Sequence, residues 1–174
     1  MSKVDANRRA FLRGAYLTRQ GRAEQARQHN PLGPAPPWHQ GRSLQQHCID
    51  CAQPCVSACE QAIILIHPPQ HSLSGTPYLN FASAGCTFCR ACVETCPLDI
   101  AIDDKPAPRI IGKLVLNRDT CIAWDDIICM SCCNRCDYKA ISLAHYRRPQ
   151  IDAEICTGCG MCVSACPVQA LSFT

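Results

Sequence analysis

Cysteine is the residue whose number and spacing most clearly indicate chemistry in this chain. There are 17 cysteines among 174 residues, and four stretches of sequence contain all of them. In two of these stretches three cysteines recur at every third position, and a fourth follows after three intervening residues with a proline directly behind it. Thiolates are good ligands for soft metal ions, and three of them on one short loop can surround a single inorganic centre. This spacing is that of bacterial ferredoxins, which bind [4Fe-4S] clusters.

The candidate cluster ligands form four repeated units along the chain. First cysteines at residues 48, 86, 121 and 156 give a period of about 35 residues, which is typical of an array of similar structural units. The candidates are Cys48, Cys51, Cys55 and Cys59 in unit one, Cys86, Cys89, Cys92 and Cys96 in unit two, Cys121, Cys129, Cys132 and Cys136 in unit three, and Cys156, Cys159, Cys162 and Cys166 in unit four.

Units one and three depart from the regular spacing. Unit one has one additional residue before its third cysteine and no proline after its last, but its Cys55-Val-Ser-Ala-Cys59 is repeated letter for letter in unit four. In unit three seven residues separate the first two cysteines, and Cys132 and Cys133 compete for the third position. We prefer Cys132 because it restores the spacing of the other units. The alternative that unit three binds no cluster stays open, so the sequence predicts three to four [4Fe-4S] clusters per chain.

Zinc sites and disulfides are the competing explanations for so many cysteines. Structural zinc is bound by four ligands that come in pairs along the sequence, and disulfides form in an oxidising compartment. The basic start is not followed by the apolar stretch of a secretory signal, and the best apolar run, residues 62–66, is far too short for a membrane span. We therefore expect a cytoplasmic protein with reduced thiols. The pair Arg8-Arg9 resembles the twin-arginine export motif, which keeps export open as an alternative.

Short helices and strands must position the cysteines. Each unit ends in a similar sequence pattern, which predicts a helical turn followed by a strand. The segments 113–117 and 149–152 are predicted to be short hairpin strands between polar turns. The sequence therefore predicts an α+β fold of two tandem two-cluster ferredoxin-like domains after a basic N-terminal tail. The expected boundaries are 1–40 for the tail and its Pro-rich linker, 41–112 for the domain with units one and two, and 113–174 for the domain with units three and four.

Pairing of the units decides which cysteines share a cluster. In two-cluster ferredoxins the fourth cysteine of a motif binds the neighbouring cluster. Units three and four are separated by the fewest residues, so we pair three with four and one with two. The expected ligand sets are Cys48, Cys51, Cys55 with Cys96; Cys86, Cys89, Cys92 with Cys59; Cys121, Cys129, Cys132 with Cys166; and Cys156, Cys159, Cys162 with Cys136. A nested arrangement, two with three and one with four, stays open.

Charge divides the chain into a basic tail and an acidic body. Residues 1–27 hold seven Lys and Arg against two acidic residues, whereas residues 28–174 hold ten against twelve. Each oxidised cluster with four thiolates adds about two negative charges, so four clusters give the body a net charge of about −10. Nucleic acid is therefore not an expected partner.

These features together resemble the NapF family, ferredoxin-type accessory proteins of periplasmic nitrate reductase systems. The resemblance rests on Arg8-Arg9, on Pro36-Pro37-Trp38 before the first unit, on the regular units two and four, and above all on the spacing of unit three. The extra residue in unit one departs from the pattern. The resemblance implies a cytoplasmic protein that binds the precursor of the catalytic subunit, NapA, before its export and assists its maturation, by supplying a cluster or electrons.

Three classes of function are compatible with the sequence. They are a maturation factor bound to an enzyme precursor, a general electron-transfer ferredoxin between redox partners, and a structural or sensing module in which clusters hold the fold together. An enzyme is not expected, because sixteen ligands for four clusters leave no open iron site and no motif indicates a second cofactor. The tail has an amphipathic pattern of residues that predicts ordering only against a partner.

Overall fold

A computed structural model describes residues 33–39, 45–98, 110, 112–145 and 147–173. The predicted basic tail lies outside these residues. Among them, the helices and strands are all three to five residues long, which confirms the expected mixture of short helices and short strands. In chain order they are α1 Gln45–Cys48, α2 Pro54–Ala58, β1 Ile64–Ile66, β2 Pro77–Leu79, α3 Ala91–Glu94, β3 Leu114–Leu116, α4 Ser131–Asn134, β4 Ile141–Ala144, β5 Arg148–Ile151, α5 Met161–Ala165 and β6 Leu171–Phe173.

The described strands form three separate antiparallel pairs. β1 pairs with β2, and β4 pairs with β5, as local hairpins. β3 instead pairs with β6, so that Leu114 lies opposite Phe173 and the pair encloses units three and four. Both strands predicted around residues 113–117 and 149–152 are therefore present, but only the second belongs to a hairpin. An alternating pattern predicts a strand and does not identify its partner.

In each unit the third cysteine occupies the same position within a short helix. Cys55, Cys92, Cys132 and Cys162 are each the second residue of α2, α3, α4 and α5. Helices of this length are not stable in isolation, so packing must support them, and α2 packs against α3 as α4 packs against α5. Units one and two are thus neighbours, and so are units three and four.

Cysteine forms a large part of the two main apolar clusters. One consists of Cys55, Cys59, Ile63, Ile64, Leu79, Phe81 and Ile110. The other consists of Leu114, Cys132, Cys136, Ala140, Ile141, Cys162 and Leu171. Full burial of one Leu, Ile or Phe side chain contributes about 1.5–3 kcal/mol, and each cluster holds only a few such residues. The core is therefore arranged around the cysteine loops and is small without them.

Units two and four meet across the boundary between the halves. The amide of Cys86 donates a hydrogen bond of 2.7 Å to the carbonyl of Cys159, and the rings of Phe81 and Phe173 lie 5.1 Å apart. A Cβ atom on Gly85 would lie 2.6 Å from the amide nitrogen of Met161. Since that neighbour is backbone, only glycine allows this approach, and the glycine brings two cysteine loops into direct contact.

Residues 33–39 pack against the first half. Pro37–His39 form one 3-10 turn, Pro36 is fully buried, and the carbonyl of Pro34 accepts a 2.8 Å hydrogen bond from the amide of Leu79. The sequence assigned this proline-rich segment to a linker, because proline breaks helices. The same prolines bury well against an apolar surface, and composition alone does not distinguish the two situations.

Candidate metal centres

All sixteen predicted ligands lie in the described residues, and all 17 cysteines of the chain are free thiols there. No group of three or more His, Cys, Asp or Glu side chains in the described part of the chain is arranged to hold a single metal ion. A [4Fe-4S] cluster makes a different demand, because its four thiolates each bind a different iron atom.

The second ligand set lines one pocket. Cys86, Cys89 and Cys92 from unit two share its wall with Cys59, the last cysteine of unit one. Trp38, at the start of the described chain, also lines this pocket. The four thiols that the sequence assigned to one centre are thus brought together, including the one supplied by the neighbouring unit.

A second pocket has the corresponding composition in the other half. Cys156, Cys159 and Cys162 of unit four line it together with Cys136, the last cysteine of unit three. Gly160, directly before α5, has a φ of 75°, a left-handed conformation that glycine adopts without strain. It turns the chain sharply between the second and third cysteines, so that both reach the same pocket.

Electrostatic coupling identifies the neighbours of the unit-one thiols. The pKa of Cys48 is raised by burial and then by the nearby thiols of Cys51 and Cys96. Burial also raises the pKa of Cys55 to about 11, again with contributions from Cys96, Cys48 and Cys51. Cys96 belongs to unit two, so the last cysteine of each of units one and two lies near thiols of the other unit.

The remaining set is assembled around the irregular loop of unit three. Cys121 is buried in a small cluster that also contains Cys129, Trp124 and Cys166, the last cysteine of unit four. Burial raises the pKa of Cys132 to about 12, with Cys133 and Cys129 as additional causes. The structure therefore brings Cys121, Cys129 and Cys166 together and places Cys132 next to Cys129.

Backbone amides point at several of the cysteine sulfur atoms. The amide of Ala140 lies 3.3 Å from Sγ of Cys136, and that of Ala170 lies 3.2 Å from Sγ of Cys166. The amides of Gln53 and Phe88 lie 3.4 Å from Sγ of Cys51 and Cys86. Such donors stabilise a thiolate and hydrogen-bond to the sulfur of iron-sulfur centres. The donor set therefore fits [4Fe-4S] clusters.

The metal-free thiols hold their protons tightly. Burial, followed by the charge of neighbouring thiols, raises the pKa of both Cys92 and Cys162 to about 12. At neutral pH these side chains are protonated, and a metal centre must displace the protons when it binds. The repulsion among thiolates that raises the pKa disappears once iron neutralises their charge.

One residue near the candidate centres has a position that the sequence does not predict. In the sequence Trp38 is only part of the pattern that resembles the family, but in the structure it lies beside the thiols of the second ligand set. Its distance along the chain from Cys59 and Cys86 explains why spacing could not reveal this contact.

Comparison with protein families assigns both halves to the same class. Residues 47–100 match the model of the 4Fe-4S dicluster domain, and residues 149–172 match that of the 4Fe-4S binding domain. The chain is therefore a ferredoxin-type iron-sulfur protein. It is 31% identical to the ferredoxin-type protein NapF of Escherichia coli strain K12, across 98% of this chain and 95% of that protein.

Other relatives agree with this assignment. NapF of Haemophilus influenzae is 31% identical over 99% of this chain and 96% of its own, and ferredoxin-type protein NapG of the same species is 28% identical over 95% of this chain and 70% of its own. The chain belongs to the NapF family, as the resemblance predicts. Among the described residues, no helix has the length and apolar character needed to cross a bilayer.

Proposed function

We propose that this chain binds four [4Fe-4S] clusters in two two-cluster domains, residues 41–112 and 113–174. The proposed ligand sets are those predicted from spacing: Cys48, Cys51, Cys55 with Cys96; Cys86, Cys89, Cys92 with Cys59; Cys121, Cys129, Cys132 with Cys166; and Cys156, Cys159, Cys162 with Cys136. Units one and two are proposed to form one domain and units three and four the other, in place of the nested alternative.

One observation carries this proposal: the last cysteine of a unit lines the pocket of its neighbour. Cys59 lies with the unit-two thiols and Cys136 with the unit-four thiols. This exchange is the ligand pattern of two-cluster ferredoxins. The packing of α2 on α3 and of α4 on α5, and the dicluster match over residues 47–100, support the same pairs.

Electron transfer is the chemistry that follows from this arrangement. When bound, a [4Fe-4S] cluster can take up and release one electron at a time. The protein contributes thiolates that hold the iron, amides near the sulfur atoms of Cys51, Cys86, Cys136 and Cys166 that stabilise negative charge, and an apolar surround that limits water. These groups set the reduction potential of each centre.

Iron content and a ligand substitution test the proposal. Anaerobically reconstituted protein is expected to hold about sixteen iron and sixteen acid-labile sulfide per chain, four of each per cluster. Twelve of each would mean an empty unit three. In Cys136→Ser the centre built on Cys156, Cys159 and Cys162 should change its electron paramagnetic resonance (EPR) signal. A change confined to the unit-three centre would contradict the exchanged ligand sets.

We further propose that the chain acts in the cytoplasm as an accessory protein of the periplasmic nitrate reductase. It would bind the NapA precursor before export and supply a cluster or electrons during maturation. The family membership and the resemblance to proteins of nitrate reductase systems support this role. Reduced thiols, which cluster assembly requires, also favour the cytoplasm.

A general electron-transfer ferredoxin is the second candidate function, because the ligand sets suit either role. The two are separated by mixing the reduced, iron-loaded chain with purified NapA apoprotein. Transfer of iron or electrons to NapA, together with co-purification of the two, favours maturation. Rapid reversible reduction by a physiological donor without any complex with NapA favours the general carrier.

The basic tail offers a specific test of partner binding. Residues 1–27 carry a net charge of about +5, opposite to that of the body. Deleting them is expected to leave the iron content intact and to weaken capture of the NapA precursor, most clearly at low salt, where charges are least screened. Equal capture by the full and shortened chains at low salt would remove the tail from the mechanism.

A further inference from the structure

Two buried indole N–H groups have no hydrogen-bond acceptor within the described part of the protein. Trp38 and Trp124 are the two tryptophans of the chain, and Nε1 of each is enclosed and unpaired. The indole nitrogen is a donor only. A buried donor left unpaired destabilises the fold, so folded proteins contain few of them, and each one indicates an acceptor that has yet to be identified.

The first of these tryptophans lies beside a candidate cluster site. Trp38 lines the pocket that contains the thiols of Cys59, Cys86, Cys89 and Cys92. Its ring meets that of Phe88 edge to face, with centroids 6.5 Å apart. This contact and the 3-10 turn of Pro37–His39 hold the indole in a fixed position at the pocket wall.

The second tryptophan lies beside a candidate ligand set in the other half. Trp124 packs in the cluster that contains Cys121, Cys129 and Cys166. The guanidinium groups of Arg118 and Arg148 lie 4.3 Å and 5.1 Å from the centroid of its ring. Such cation–π contacts restrain the ring, and a nearby positive charge makes the indole N–H a stronger donor. Trp124 belongs to the seven residues that separate Cys121 from Cys129 in unit three.

We propose that each indole N–H donates a hydrogen bond to a sulfur atom of the adjacent cluster. Trp38 would serve the centre of Cys59, Cys86, Cys89 and Cys92, and Trp124 would serve the centre of Cys121, Cys129, Cys132 and Cys166. This inference rests on the ligand sets proposed above. Hydrogen bonds to cluster sulfur stabilise the more negative, reduced state and raise the reduction potential. Two centres therefore receive a donor that the other two lack.

Single substitutions in the iron-loaded protein test the assignment. Trp38→Phe and Trp124→Phe each keep an aromatic ring and remove the N–H group. An EPR-monitored redox titration should show one midpoint potential shifted to lower values in each variant, a different one in each, with the other three unchanged. Each variant is the control for the other, because both remove one indole from the same chain. A shift of the same midpoint in both would overturn the assignment of the two sites.

An isosteric replacement covers the case in which phenylalanine disturbs the packing. Benzothienylalanine, which carries sulfur in place of the indole N–H, can replace both tryptophans during expression. With full iron and labile sulfide, two midpoint potentials are expected to fall. Four unchanged midpoints in that protein would overturn the inference while leaving the ligand sets intact. Absence of iron and labile sulfide from the unsubstituted protein would instead overturn the proposed function on which the inference depends.

Discussion

At the scale of single residues, position in a short helix distinguishes the two adjacent cysteines of unit three. Cys132 is the second residue of α4 and is buried, as Cys55 and Cys162 are in α2 and α5. Cys133 is the next residue, which turns its side chain by about 100° around the helix axis. The helix therefore gives Cys132 the orientation of the other third cysteines.

This difference predicts opposite outcomes for two conservative substitutions. Cys132→Ala should remove about four iron atoms per chain, because one centre loses a ligand. Cys133→Ala should keep the full iron content and serves as the matched control. Iron and labile-sulfide analysis of anaerobically reconstituted protein gives the answer. Retention of all iron in Cys132→Ala, with loss in Cys133→Ala, would reverse the proposed assignment.

The sequence predicts the cysteines of the candidate sites better than the residues around them. The spacing of the cysteines predicts sixteen ligands and favours Cys132 over Cys133. This is possible because most ligands of a cluster lie on one loop and are therefore close in sequence. Trp38 could not be found in this way, because it reaches the second ligand set only through the fold. Nor does the sequence indicate that the amides of Ala140 and Ala170 point at sulfur, since that depends on backbone conformation.

At the scale of elements, a left-handed residue recurs in units one, three and four between the last cysteine and the strand that follows. Ala62, Lys139 and Gln169 have φ angles of 54°, 55° and 53°, and each is the third residue after the last cysteine of its unit. The next amide, that of Ala140 or Ala170, then reaches the sulfur of Cys136 or Cys166. The conformation costs a non-glycine residue about 1–2 kcal/mol.

Glycine at one of these positions is expected to stabilise the protein. Lys139 is exposed, so Lys139→Gly should remove the left-handed strain without loss of packing. The gain should be about 1 kcal/mol or less, because glycine also makes the unfolded chain more flexible. The half-life of the visible absorption on anaerobic heating should lengthen accordingly.

A glycine placed a few residues earlier provides the control. Arg135 is also exposed, but its φ is −90°, where glycine brings only added flexibility. Arg135→Gly should therefore shorten the half-life. Faster bleaching in both variants would show that the left-handed conformation at Lys139 stores no relievable strain.

Elements of this size are predicted from sequence only in part. The strands near residues 113–117 and 149–152 follow from their patterns of apolar residues, and the hairpin of β4 and β5 follows from their closeness in sequence. The pairing of β3 with β6 does not, because it joins residues more than fifty positions apart. Lys139 and Gln169 are not among the residue types that favour left-handed backbone, so sequence gave no signal for these turns.

At the scale of the whole molecule, the [4Fe-4S] clusters are expected to supply the stability that a larger hydrophobic core would otherwise give. Cysteines contribute to both main apolar clusters and line a pocket beside each of them. Removing iron with an anaerobic chelator should therefore unfold the described parts of the chain. Circular dichroism should lose its helix and strand signal, and limited proteolysis should become rapid.

Protein kept in the same buffer and reductant without chelator is the reference for that experiment. A chain that keeps native-like circular dichroism and protease resistance after iron is gone would show that side-chain packing suffices. The contact between units two and four, through Cys86 and Cys159, predicts that the two halves lose structure together. Its dependence on Gly85 was not evident from the sequence, because glycine before a cysteine loop has several possible uses.

Because β3 pairs with β6, the two ends of the second half lie side by side, and its two units could follow each other in the opposite order along the chain. Leu114 and Phe173 lie opposite each other, so a short linker could join them. The amide of Arg147 donates a 3.1 Å hydrogen bond to the carbonyl of Ala144, and His145 and Arg147 are exposed, so the connection between β4 and β5 is a suitable place for new termini. A circular permutant of residues 113–173 that starts with unit four and ends with unit three should bind as much iron as the same residues in their natural order. A permutant opened between Cys129 and Cys136 should bind fewer, and equal binding by both would contradict the view that connectivity matters only within each cysteine loop.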